Sequence, residues 1–83
     1  MPLRPSQVET LRLIGQANER GEAMPPWTLA ETVGILSRAA QNRLVGLEER
    51  DLVWLDWKDD ESASYYAGYR LTQLGREALE GKQ

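Results

Sequence analysis

The 83-residue chain contains no cysteine and no histidine. Without cysteine there is neither a disulfide framework nor a thiolate metal site. Without histidine the commonest metal ligand and the commonest general base are both missing. No nucleophile stands beside a base and no glycine-rich phosphate loop is present, so the sequence gives catalysis no support. No enzyme, cofactor or metal is expected. No apolar run approaches the ~18–20 residues that a membrane span needs, and the N-terminus lacks a signal-peptide core. The expectation is a soluble cytoplasmic protein without a membrane partner.

Positive charge is scarce: 10 Lys and Arg stand against 13 Asp and Glu, a net charge of −3. That balance argues against a strongly basic nucleic-acid binder, but its distribution matters more. Asp56, Asp59, Asp60 and Glu61 face Lys58 alone, a local −3 that accounts for the whole net charge and leaves the rest of the chain neutral. Their spacing does not match a calcium loop, which needs a central glycine and a terminal bidentate glutamate. A solvated acidic loop is the expected reading. From Leu36 to Leu47, by contrast, both charged residues are arginines, Arg38 and Arg43. The length suits one small domain, 1–83, burying roughly 60–65% of the unfolded chain's surface.

The chain is organised around Thr28 to Val53, TLAETVGILSRAAQNRLVGLEERDLV. Thr28 with Glu31 has capping-box spacing, and Leu29, Ala30 and Val33 give an apolar side, which predicts a helix over 28–34. Gly34 ends it, because glycine reaches left-handed backbone angles at little steric cost. Ser37 is placed to cap a second helix over 37–50, with Ile35 and Leu36 packing under the turn. In that helix Ala40, Leu44 and Leu47 form a buried stripe. Arg38, Gln41, Asn42 and Val45 lie opposite, with Arg43 near the border. This is the pattern of a helix-turn-helix.

Before this core, Ser6 with Glu9 repeats the capping-box spacing and predicts a helix over 6–20, with Val8, Leu11, Ile14 and Ala17 facing inward. Leu13 lies off that stripe, at the core edge or in a self-association surface. Pro25-Pro26 imposes a non-helical, strand-like link. Trp27 reads as a plug over the following helix start, with an exposed partner anchor as the alternative. After the core, alternation over Leu52–Trp57 and Tyr65–Leu71 predicts an antiparallel hairpin over 52–71 around the polar loop. Thr72 then caps a last helix over 72–80, with Leu74 and Ala78 or Leu79 inward.

Helix, link, helix, turn, helix, hairpin, helix is the order of a winged helix, an α+β fold. Here the sequence also resembles known families. LVGLEERDLV, Leu44 to Val53, looks like the recognition-helix exit of bacterial and archaeal winged-helix regulators. YRLTQLGREAL, Tyr69 to Leu79, is similar to their second wing strand running into the final helix. Both runs occur in the multiple-antibiotic-resistance regulator (MarR) and phenolic-acid regulator (PadR) types, and the resemblance covers Thr28 to Leu79. It implies a DNA-binding transcriptional regulator, usually dimeric, reading a palindromic duplex site. By position it implies DNA contacts from Ser37, Arg38, Ala39, Gln41, Asn42 and Arg43.

Two positions depart from the pattern. Asp51 stands where glycine is usual and is expected to take a strained or left-handed turn, which Asp tolerates better than most residues. The wing tip reads KDDESAS where DNA-inserting wings carry Arg or Lys, and phosphates repel such a tip.

The residues independently suit these roles. Arginine can pair with guanine, and Gln41 or Asn42 with adenine, through two-point contacts. Ser37 and Thr28, at the two helix starts, can hold phosphates. The plainer reading is an ordinary solvated helix face. The alternative from another class is a protein–protein module using the acidic wing and the hairpin aromatics. Trp54 and Tyr66 have opposite parity to Trp57 and Tyr65, so they cannot all face inward, and an exposed aromatic patch suits a partner or a second copy of the chain.

Overall fold

The computed structural model describes residues 3–59 and 65–81, without the side chains of 57–59 and 65–67. Its elements are α1 (Pro5–Glu19), α2 (Pro26–Val33), α3 (Ser37–Glu49), β1 (Val53–Asp59), β2 (Tyr65–Leu71) and α4 (Gln73–Glu80). The strands pair antiparallel in a register that sets Val53 opposite Leu71 and Leu55 opposite Tyr69. Met24, in the link before α2, exchanges both backbone bonds with Tyr69 at 2.9 Å and lies alongside β2 like a third short strand. The extended angles that proline imposes on this link make that pairing available.

Two helix starts, those of α1 and α2, differ from expectation, and proline explains both. α1 begins at Pro5 rather than Ser6, and α2 at Pro26 rather than Thr28. Proline suits the first helical position, where its missing N–H has no partner to lose and its φ is already helical. Arg4 is the N-cap of α1, and its N–H is held at 2.8 Å by Gln7 Oε1. Pro25 precedes α2 and no side chain caps that helix. Thr28 therefore sits inside the first turn, its carbonyl accepting from Thr32 Oγ1 at 2.8 Å. Ser37 is likewise the first residue of α3, preceded by an extended Leu36 with no side-chain cap. Thr72 does cap α4, its Oγ1 accepting the Gly75 N–H at 3.0 Å.

The core forms where the helical stripes meet the hairpin. Leu11, Ile14 and Ala17 of α1, Leu29 and Ala30 of α2, and Ala40, Leu44 and Leu47 of α3 are buried against Leu52, Val53, Tyr69 and Leu71. Leu13 packs at the edge of this core. Three expected inward residues face out instead. Trp27 is 52% exposed, because with the helix starting at Pro26 it falls on the side away from Leu29. Leu36 is exposed at the N-cap of α3. Leu74 is exposed because the neighbouring Gly75 is the residue turned onto Leu52, leaving Ala78 and Leu79 to pack on the core.

The turns that set the angle between α2 and α3, and between α3 and the hairpin, follow the sequence. Gly34 has φ 80°, and its N–H returns to the Ala30 carbonyl. Asp51 has φ 60°, the left-handed conformation expected of it. Asp56 and Arg70, on the outward face of the hairpin with Trp54, form a half-buried ion pair at 2.7 Å.

Candidate nucleic-acid interface

α3 bonds to neighbouring elements along both flanks. At about 100° per residue the stripe of Ala40, Leu44 and Leu47 defines its inner side, with Gln41 and Arg43 on opposite borders. Gln41 turns to the hairpin, where its Nε2 donates to the Tyr69 hydroxyl at 3.4 Å. Arg43 turns to α1, where its Nη1 meets Glu9 Oε1 at 3.3 Å and Thr10 Oγ1 at 3.5 Å. Two turns further on, at the end of the helix, Arg50 reaches Gln7 at 3.3 Å. Tyr69 is itself buried, which pushes its hydroxyl pKa above the usual 10.0; the Gln41 bond opposes this shift and the nearby Glu48 charge adds to it.

With the flanks engaged, Arg38, Asn42 and Val45 stand along the outermost line of α3, at i, i+4 and i+7. Ser37, Arg38, Ala39, Gln41 and Asn42 are exposed, whereas Arg43 is half-buried. Neither Arg38 nor Asn42 bonds another residue among those described. The absent side-chain cap has a chemical consequence: the first N–H groups of α3 and the Ser37 hydroxyl remain open to an external acceptor. Six of the seven sequence-derived site residues therefore share one helix, and Thr28 stands apart on α2. Arg4 and Arg43 line a shallow hollow of about 390 Å³ between the start of α1 and α3.

Charge along α3 is graded. Arginines occupy its first half, and Glu48 and Glu49 close it. An anion is thus favoured at the N-terminal end, where the helix dipole also places positive potential. The wing contributes less. Arg70 is neutralised by Asp56. The acidic tip residues Asp60 and Glu61 lie outside the described residues, as do the side chains of Asp59, Trp57, Tyr65 and Tyr66.

Three packed helices with α3 exposed, followed by a two-stranded hairpin and a short closing helix, define a winged helix. Solved structures of S. aureus MepR share this fold, and MepR is a MarR-family winged-helix transcriptional regulator. A MepR alanine-to-valine mutant from a multidrug-resistant clinical isolate superposes with TM-score 0.77 at 18% identity, covering 96% of this chain and 54% of that one. A MepR glycine-to-lysine mutant gives 0.77 at 18%, covering 96% and 56%. MepR bound to ethidium bromide gives 0.75 at 19%, covering 96% and 54%. The chain spans little more than half the length of these MepR chains. No family model and no curated protein matches the sequence. Among the described residues no helix is long and apolar enough to cross a membrane.

Proposed function

We propose that this chain is a cytoplasmic DNA-binding transcriptional regulator, a single winged-helix domain over 1–83 that acts as a homodimer on duplex DNA. The observation that carries this reading is the placement of Arg38 and Asn42, unpartnered among the described residues, one turn apart on the outermost line of a helix bonded to its neighbours on both flanks. A rigid helix presenting these two side chains suits the major groove, where arginine pairs with guanine and asparagine with adenine. Ser37, Ala39 and the open N–H groups of the first turn of α3 suit a phosphate, and Thr28 at the start of α2 suits another. Arg43 and Gln41 support α3 from its sides and contact DNA from there. The winged-helix fold shared with MepR supports the same reading.

The test is fluorescence anisotropy on mixed-sequence duplex DNA at ~50 mM and ~200 mM salt, where phosphate contacts predict a steep loss of affinity. On a duplex site selected by the chain, Arg38→Ala is expected to cost about 1–3 kcal/mol of binding and to relax specificity at one position, with the fold intact. A folded protein that does not bind at ~50 mM salt overturns the proposal.

One observation favours a second reading. Trp54 is 45% exposed beside the Asp56–Arg70 pair, and Leu74 is 48% exposed at the start of α4. An apolar surface at the hairpin suits a protein partner. Loss of that partner on Trp54→Ala, with DNA binding unaffected by Arg38→Ala, would favour it over the DNA reading.

A further inference from the structure

Val45 is apolar and 37% exposed in the middle of α3. It is not one of the residues of the buried core. Its position is the third on the outermost line, one turn beyond Asn42 and two beyond Arg38. A β-branched residue on a helix side that faces solvent loses rotamer freedom, and more than a third of Val45 stays uncovered by the fold. The two neighbours on its line are the side chains best suited to guanine and adenine, and an apolar side chain completes the set of base readers because thymine alone presents a methyl group in the major groove.

We infer that Val45 is a specificity-determining residue that packs against the C5 methyl of a thymine beside the bases read by Asn42 and Arg38. This rests on the DNA reading above and extends it to a residue and a base. Successive positions on the line rise about 6 Å and about 4.5 Å along the helix at ~1.5 Å per residue. With base pairs stacked ~3.4 Å apart, the three side chains address neighbouring steps of one half-site rather than a single base pair. Ala39, the other small apolar residue exposed on α3, lies off this line toward α1.

The experiment starts with selection of a bound site from a randomised duplex pool by the intact chain. Each thymine of that site is then replaced singly by deoxyuridine, which removes the methyl and nothing else. One position per half-site is expected to lose about four-fold in affinity, the equivalent of ~0.8 kcal/mol for one buried methyl group. Val45→Ala should bind the thymine site several-fold more weakly and lose its sensitivity to deoxyuridine at that position alone. Retained sensitivity there in Val45→Ala, or no sensitive position in the unsubstituted chain, overturns the inference while leaving the DNA reading in place. Failure to select any site, together with absent salt-dependent binding, removes the DNA reading itself and the inference with it.

Discussion

Gly75 and Gly46 are both helical glycines, and the structure predicts opposite outcomes for the same substitution. A Cβ on Gly75 would overlap the Leu52 carbonyl oxygen and lie 3.0 Å from its carbon, where real Cβ atoms essentially never come closer than 3.0 Å to a neighbour. The obstacle is backbone, so no side-chain rotation relieves it, and α4 must move outward. That movement stretches the bond from the Thr72 N–H to the Leu52 carbonyl, now 3.1 Å, and disturbs the Thr72 cap. Overpacking costs about 1–3 kcal/mol and a lost cap about 1 kcal/mol, so Gly75→Ala is expected to cost about 3 kcal/mol. For a domain of this size that lowers Tm by roughly 12–24 °C, at about 4–8 °C per kcal/mol.

Around Gly46, in contrast, nothing lies within 4 Å of an added Cβ. Gly46→Ala gains helix propensity and is expected to stabilise by ~0.5–1 kcal/mol, raising Tm by a few degrees. Thermal melts followed by far-UV circular dichroism measure both. A Gly75→Ala melt within about 3 °C of the parent would refute the close approach of α4 to Leu52, because even a ~1 kcal/mol cost shifts Tm by more. Equal destabilisation by both substitutions would mean that glycine matters at these positions for some reason other than contact.

Two further substitutions test the hairpin. Asp56→Asn removes the partner of Arg70 and one negative charge, and is expected to cost about 0.5–1 kcal/mol in urea unfolding while strengthening non-specific DNA binding at ~50 mM salt. Unchanged or weaker DNA binding would show that Arg70 does not face the duplex. Tyr69 has a folded pKa raised above 10.0, chiefly by burial. As pH rises the unfolded chain loses this proton first, so the stabilisation is intact below about pH 10 and disappears as pH passes through the folded value. Tyr69→Phe should show a flatter decline of the urea midpoint between about pH 9 and 11, and an unchanged slope would contradict the burial of this hydroxyl.

The proposed division of labour on α3 follows from which side chains are already occupied. Arg43 links α3 to Glu9 and Thr10 of α1, and Gln41 links it to Tyr69 of the hairpin. The buried stripe of Ala40, Leu44 and Leu47 seats the helix, these contacts occupy its borders, and a preorganised helix presents base-reading groups at little entropic cost on binding. Among the described residues, the arginine of this helix without an intramolecular partner is Arg38, so it is the α3 cation whose removal should most directly change DNA affinity.

What the sequence determined by itself is the part governed by local chemistry and period. The stripe of Ala40, Leu44 and Leu47, the left-handed turns at Gly34 and Asp51, the Thr72 cap and the alternating hairpin all depend on residues close together in the chain, and each is found in the structure. Local pattern failed where two signals competed. Pro5 and Pro26 open α1 and α2 because proline is well suited to the first helical position, and this shift moved Thr28 and Trp27 into the first turn of α2. Tertiary structure alone decided which polar residues of α3 are free. Arg43 meets Glu9 across 34 positions and Gln41 meets Tyr69 across 28, and no local period carries such pairings. Arg38 and Arg43 look equivalent in the sequence. They differ because α1 crosses beside one border of α3 and leaves its outermost line open to solvent.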